Sequence, residues 1–180
     1  NEINFKVINI EKDKISLILE KLINYLCLHI KNQIKAGADV VQIFDSWAGL
    51  IPQGDLESFC YAPNSKIVEF CKKKGIPVIC FPRGIRENYK DFNNLVKPDG
   101  INIDYNVDPK WARENLKKTV VQGGLDPKIL LLSEEEIYSN ARKYLDAFEG
   151  LPYVFNLGHG MLPETNPDKV DKLIKFFREY

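Results

Sequence analysis

Alternating strands and helices make an α/β protein with a parallel sheet the fold class that this sequence predicts. Five apolar runs rich in β-branched residues end in or near Gly, Asp, Ser or Asn, and a helix-like stretch follows each one. These runs are 39–45, 76–81, 100–104, 119–122 and 153–157. Parallel strands joined by helical crossovers produce this alternation. Polar and glycine residues at the strand ends predict a site at one rim of a barrel or an open sheet.

A long helix over 13–36 precedes the first strand. Its apolar residues recur at three- and four-residue spacing, as on one face of a helix. The stripe consists of Ile15, Ile18, Leu19, Leu22, Leu26 and Ile30. Asp13 is a candidate N-cap, and Gly37 is a candidate stop. His29, beside the stripe, is expected to be a half-buried helix histidine.

The later helices are predicted mainly from capping residues. Segments 65–74 and 87–96 have helical patterns, and Asp108-Pro109 opens another helix, with proline at the first position, where its missing N–H is harmless. A capping box formed by Ser133 and Glu136 begins a helix that extends to about 148. Asn166-Pro167 begins the last one, whose apolar stripe is Val170, Leu173, Ile174 and Phe177.

Five βα units are fewer than the eight that usually close a barrel. The residues alone therefore leave two architectures open, an open doubly wound sheet and a barrel from which three units are missing. No linker or low-complexity segment interrupts the chain, so residues 1–180 are expected to form one portion without an internal boundary.

Composition excludes several classes of function. The 25 basic and 25 acidic side chains cancel, which argues against a nucleic-acid-binding protein. No apolar run approaches the ~20 residues that span a bilayer, and the first ten residues do not resemble a signal peptide, so the cytoplasm is the expected compartment. The four cysteines form no CxxC pair, which predicts free thiols and no metal site. Gly123-Gly124 lacks the spacing of a dinucleotide-binding loop.

Polar side chains at the predicted strand ends are the candidates for chemistry. They are Asp45, Ser46, Arg83, Asp104, Gln122, Asp126, Asn156 and His159. His159 lies between two glycines that permit close approach of a ligand, but it is alternatively a loop histidine bonded to backbone. Ser46 either orients a ligand carboxylate or carbonyl or serves the turn. The three aspartates either accept protons or cap helices and pair with cations, and the structural role is favoured.

Three segments resemble motifs of the uroporphyrinogen decarboxylase family. They are residues 37–49 (GADVVQIFDSWAG), 122–127 (QGGLDP) and, most specifically, 156–163 (NLGHGMLP). Their order and spacing both agree with the family, and the resemblance extends from about Lys12 to Tyr180. It implies a (β/α)₈ TIM barrel of about twice this length, to which this chain supplies about the last five βα units.

The resemblance also implies a function. The family removes carbon dioxide from the four acetate side chains of uroporphyrinogen, an anionic tetrapyrrole, to give coproporphyrinogen in haem biosynthesis. It uses no cofactor and is usually a homodimer. A pyrrole protonated at a ring carbon can accept the electrons released by the departing carbon dioxide, so the protein need only bind, orient and supply charge and protons.

Two substrate-binding residues are implied by the motifs. Ser46 matches the strand-end Ser/Thr that contacts the substrate, and His159 matches the histidine that faces a substrate carboxylate. The family's arginine-bearing signature, essential aspartate and substrate-contacting tyrosine have no counterpart here. We therefore expect no catalytic residue and no turnover by this chain without the N-terminal half of the enzyme. Gly124 stands where the family usually has Asn, which removes a hydrogen-bonding side chain near the rim.

Two other classes remain as alternatives. Related barrel methyltransferases act on a corrinoid or a thiol, but they use a zinc site of His and Cys, and this sequence contains no His-x-Cys. A non-enzymatic half-barrel that folds only with a partner would have exposed edge strands that favour association. Zinc analysis would test the first alternative and sedimentation the second.

Overall fold

In a computed structural model, which describes residues 12–180, five parallel strands alternate with helices. The sheet keeps chain order, β1-β2-β3-β4-β5, as expected for consecutive βα units of a partial TIM barrel. The main elements are α1 (Lys12–Lys35), β1 (Val41–Asp45), α2 (Ala62–Lys73), β2 (Val78–Pro82), α3 (Tyr89–Val96), β3 (Gly100–Ile103), α4 (Pro109–Asn115), β4 (Val120–Gly123), α5 (Glu134–Ala147), β5 (Tyr153–Val154) and α6 (Pro167–Glu179). The predicted strand–helix alternation is thus confirmed.

The chain divides into two compact units, and the boundary lies inside β3, between Ile101 and Asn102. In the first unit, β1 pairs with β2 over five residues, from Val41 opposite Val78 to Asp45 opposite Pro82. β2 then pairs with the start of β3. Strand and helix residues share the buried core of this unit, which includes Val78, Cys80, Ile67, Val68, Cys71, Tyr89 and Phe92.

The apolar stripe predicted for α1 is only partly buried. Ile30 is buried and Ile15 and Leu19 are half-buried, but Ile18, Leu22 and Leu26 are exposed. Ile23, outside the predicted stripe, is buried instead. The buried face of α1 is therefore rotated from the predicted one, because three- and four-residue spacing fits adjacent faces of a helix rich in Leu and Ile. His29 is exposed rather than half-buried.

In the second unit, β4 pairs with β5 through Val121 opposite Tyr153 and Gln122 opposite Val154. β5 was predicted to extend to residue 157, yet it contains two residues. Beyond it, Leu125 and Leu157 form a single isolated bridge. The ring of Tyr153 stacks on Phe148 with centroids 4.4 Å apart, which fixes the short strand against the end of α5.

Local capping signals are reproduced in the structure. Asp108 accepts from the backbone N–H groups of Lys110 and Trp111, and Asn166 accepts from that of Asp168, each at 2.9 Å. Ser133 and Glu136 form both bonds of the capping box. The long helix begins at Lys12, one residue before its predicted cap. None of the helices found in residues 12–180 is long and apolar enough to cross a membrane.

Candidate functional site

Ser46 lies in the turn directly after β1, and its side chain is half-buried. Backbone bonds fix this turn beside the end of β2, since Arg83 N–H donates to Asp45 O at 3.1 Å and Gly49 N–H donates to Arg83 O at 2.8 Å. A Cβ atom on Gly49 would lie 2.6 Å from Gly84 O. The Ser46 turn therefore depends on two glycine backbones in direct contact, which no larger residue at position 49 permits.

Asp45 belongs to a half-buried polar cluster behind this turn. Its Oδ2 accepts from Asn64 Nδ2 at 3.2 Å, and Asn64 also donates to Cys60 O at 2.9 Å. Burial raises the pKa of Asp45, although hydrogen bonds from Cys60 and Asn64 oppose the rise. Burial, with the nearby charge of Asp45, also raises the pKa of the Cys60 thiol, so Cys60 is an unreactive thiol.

In the second unit, the predicted polar residues after β3 and β4 have structural roles. Asp104 is buried, and its Oδ1 accepts from Asn106 N–H at 2.9 Å. Asp126 caps the turn that follows it by accepting from Lys128 N–H at 2.9 Å. Gln122 Nε2 donates to Asn102 Oδ1 at 2.7 Å within the core. Asp126 thus takes the capping role named in its structural alternative, and Asp104 accepts a local backbone hydrogen bond.

The loop 156–160 carries His159 on its surface. Gly160 N–H donates to His159 Nδ1 at 2.6 Å. Because a backbone N–H can only donate, Nδ1 is the acceptor, and the neutral imidazole carries its proton on Nε2. His159 can therefore be both a loop histidine bonded to backbone and a ligand-binding residue. Its Nδ1 binds the backbone, while its Nε2–H can donate to a ligand oxygen.

Gly158 fixes this loop against its neighbours. Its N–H donates to Leu125 O at 2.7 Å, and a Cβ atom on it would lie 2.4 Å from the backbone nitrogen of Tyr105. The segments after β3, β4 and β5 are thus in contact, as predicted for parallel strand ends within this unit. Asn156 Oδ1 accepts from Leu157 N–H at 2.8 Å, so the amide side chain bonds to the backbone of the next residue.

A cavity of about 340 Å³ lies between this loop and α6. Its wall is mainly apolar, and the polar side chains on it are those of Asn156 and His159. The apolar part includes Leu130, Phe155, Met161, Val170, Ile174 and Phe177. A mostly apolar cavity with a few polar groups is typical of an organic-ligand site.

Several residues that contact the predicted site residues or their loops were not among the candidates from the sequence. Cys60 and Asn64 precede the helix predicted to begin at residue 65, and Asn102, Tyr144 and Tyr153 were assigned to regular elements. The one available signal was the Gly123-Gly124 pair, whose missing side chains indicate close approach by something else. That neighbour is Tyr144, whose ring would be 2.5 Å from a Cβ atom on Gly124.

The cysteines are free thiols, as predicted, with Cys60, Cys71 and Cys80 buried and Cys27 half-buried. Burial raises the pKa of Cys71 to about 11. In the part of the chain that the structure describes, no three His, Cys, Asp or Glu side chains are grouped closely enough to hold a metal ion.

Comparison with a family model and comparison with curated proteins indicate the same family. The model of the family described as "Uroporphyrinogen decarboxylase (URO-D)" matches residues 4–180. Proteins named uroporphyrinogen decarboxylase are similar, among them one from Cereibacter sphaeroides, 36% identical over 177 residues, which are 96% of this chain and 52% of that protein. One from Rickettsia bellii is 40% identical over 174 residues, 96% of this chain and 50% of that protein. The chain thus spans about half the length of the curated relatives it matches.

Proposed function

This chain belongs to the uroporphyrinogen decarboxylase family, and from that premise we propose that it supplies two substrate contacts, Ser46 and His159, to an enzyme that decarboxylates uroporphyrinogen. The observation that carries the proposal is the state of His159. It is exposed, its Nδ1 is occupied by Gly160 N–H, and its Nε2–H is left to donate. An imidazole N–H donor is suited to the carboxylates that this substrate presents.

In the proposed reaction the substrate carries most of the chemistry. A proton adds to a pyrrole ring carbon, the bond from the acetate methylene to its carboxylate breaks, and the electron pair passes into the cationic ring. Carbon dioxide leaves, a proton adds to the methylene carbon to form a methyl group, and the ring returns its proton. His159 and Ser46 would bind and orient carboxylates, which raises the fraction of substrate in reactive geometry.

The remaining groups of such an enzyme are proposed to come from the N-terminal half of a full-length family member. This chain has no counterpart of the family's arginine-bearing signature or essential aspartate. The same reasoning leads us to propose a cofactor-independent cytoplasmic enzyme that acts as a homodimer. Light scattering after size-exclusion chromatography would contradict the dimer if the full-length protein were monomeric.

Turnover measurements test whether decarboxylation requires the N-terminal half of the enzyme. We expect the purified 180-residue chain to form no coproporphyrinogen from uroporphyrinogen, as measured by chromatography of the oxidised porphyrins. In a parallel reaction, the N-terminal half of the Rickettsia bellii relative is added to the 180-residue chain, and there we expect coproporphyrinogen to form. Product from the 180-residue chain alone would contradict the proposal that the N-terminal half is required.

Binding tests the role of His159. Uroporphyrin, the stable oxidised form of the substrate, serves as the probe, and its fluorescence reports binding. His159→Ala removes the ring donor and should weaken binding roughly 10- to 150-fold, because a hydrogen bond to a charged group contributes about 1.5–3 kcal/mol. His29→Ala, at the other histidine of the chain and on the exposed side of α1, should leave binding unchanged. Equal affinity of wild type and His159→Ala would refute the role of His159.

A further inference from the structure

Two tyrosine hydroxyls bind consecutive carbonyl oxygens of the Gly123-Gly124 turn. Tyr153 OH donates to Gly123 O at 2.7 Å, and Tyr144 OH donates to Gly124 O at 2.6 Å. The tyrosines come from different elements, Tyr153 from β5 and Tyr144 from α5. Two independent side chains therefore hold one turn at the end of β4.

The conformation of the turn depends on its two glycines. Gly123 and Gly124 have φ values of +81° and +104°, in the left-handed region that favours glycine. A Cβ atom at 123 would lie 2.8 Å from the amide of Asn102, and one at 124 would lie 2.5 Å from Cε1 of Tyr144. The missing side chains make room for the groups that fix the turn.

The turn leads directly to the loop that carries His159. Leu125, the residue after the turn, accepts from Gly158 N–H at 2.7 Å and bridges to Leu157. Gly158 also lies against the backbone of Tyr105, with no room for a Cβ atom. His159 is the next residue along the chain, so its backbone follows directly from the residue that is bonded to Leu125 O.

We propose that Tyr144 and Tyr153 are positioning residues for His159, because their hydroxyls hold the Gly123-Gly124 turn in the one conformation that presents Leu125 O to Gly158 N–H. Neither tyrosine contacts the proposed substrate in this scheme. As far as substrate binding is concerned, the inference rests on the proposed function; its structural part does not.

Both hydroxyls remain donors over a wide pH range. Burial is the main cause that raises the pKa of Tyr144 to about 12, with smaller contributions from the charges of Asp108, Asp126 and Asp104. Burial also raises the pKa of Tyr153. We therefore expect the turn and the His159 loop to keep their geometry from neutral to moderately alkaline pH.

The test replaces each hydroxyl separately. Tyr144→Phe and Tyr153→Phe keep the rings and remove the hydroxyl donors. Tyr138→Phe is the matched control, because Tyr138 lies on the same helix as Tyr144 but its ring stacks on Phe176 of α6. In NMR spectra the imidazole signals of His159 are readily assigned, because His29 is the only other histidine and His29→Gln removes its signals. Hydrogen exchange of the Gly158 amide is measured in the same samples.

We expect Tyr144→Phe and Tyr153→Phe to shift or broaden the His159 signals and to speed Gly158 amide exchange roughly fivefold to a hundredfold, the range that follows from losing a buried hydrogen bond. Tyr138→Phe should change neither. If the two variants lower the melting temperature while the His159 signals and Gly158 exchange stay unchanged, the tyrosines are merely structural and the inference is wrong.

Uroporphyrin binding then separates this inference from the proposed function. Tyr153→Phe should weaken binding in the wild-type background and add nothing in the His159→Ala background, because both changes act through one side chain. Additive losses would contradict positioning through His159. If His159→Ala alone has no effect on binding, the proposed function fails, while the NMR and exchange measurements still decide the structural coupling.

Discussion

The two motif loops of this molecule are fixed in different ways. In the first unit, backbone contacts join the Ser46 turn to the end of β2, through Gly49, Gly84 and the carbonyl of Arg83. In the second unit, the His159 loop also depends on a glycine backbone contact, but two tyrosine hydroxyls bind the turn beside it. A glycine backbone contact is broken by substitution of the glycine, whereas a support that includes side chains can be weakened in steps, one hydroxyl at a time.

Gly158→Ala should have the largest effect on stability. The new Cβ atom would lie 2.4 Å from the backbone nitrogen of Tyr105, and backbone on both sides cannot give way as a flexible side chain would. We expect a loss of about 3 kcal/mol or more in unfolding free energy, with a fall in Tm of roughly 10 °C. Gly160→Ala, with no atom within 4 Å of its Cβ position, is the control and should be close to wild type. Similar Tm values for the two variants would contradict the close contact.

Gly49→Ala should have the next largest effect, about 2–3 kcal/mol, from a Cβ atom 2.6 Å from Gly84 O. Gly54→Ala is the control, because its Cβ position is open.

Fluorescence can follow each unit separately, because the chain has one tryptophan in each unit, Trp47 and Trp111, and either one can be replaced by phenylalanine. The comparison predicts that Gly49→Ala lowers the transition reported by Trp47 and that Gly158→Ala lowers the one reported by Trp111. Equal shifts of both transitions by each variant would show that the supports are not separate.

Asp45→Asn should give a smaller effect that depends on pH. Burial raises the pKa of Asp45 above its usual 3.8, so the folded state holds the proton more tightly than the unfolded state. The contribution of Asp45 to stability is therefore complete below pH 3.8 and is lost as the pH rises through the folded-state value. Relative to wild type, Asp45→Asn should gain stability between pH 4 and pH 7 in chemical denaturation. No change in the difference between the two proteins over this range would contradict the raised pKa.

Asp126→Asn is the matched comparison for that experiment, since Asp126 also follows a strand. It should lose stability at pH 7, because a carboxylate that accepts from Lys128 N–H is a better cap than a neutral amide in a charge-assisted bond. Opposite signs at the two strand-end aspartates would show that their surroundings, and not their position after a strand, set their roles.

Local sequence was enough to predict the main strands and helices and several of the helix caps. The caps at Asp108, Ser133 and Asn166 appear as predicted, because each side chain bonds to a backbone N–H only two or three residues away. The alternation predicted a parallel sheet but left a doubly wound sheet and a partial barrel open; the family motifs implied the barrel, and the order β1-β2-β3-β4-β5 agrees with it. The same reasoning placed Ser46 and His159 in turns directly after or near strand ends. The roles assigned to them through the family motifs stay predictions.

Tertiary structure decided what lies beyond the reach of these local bonds. The buried face of α1 was misassigned because a helix with Leu and Ile on adjacent faces offers several stripes, and only packing selects one. β5 is shorter than its apolar run: the ladder stops where Gly123 and Gly124 have positive φ and resumes only as the single bridge between Leu125 and Leu157. The tyrosine contacts to the Gly123-Gly124 turn join residues 20 and 30 positions apart. No periodicity or spacing encodes such contacts, since they exist only once β4, β5 and α5 have packed together.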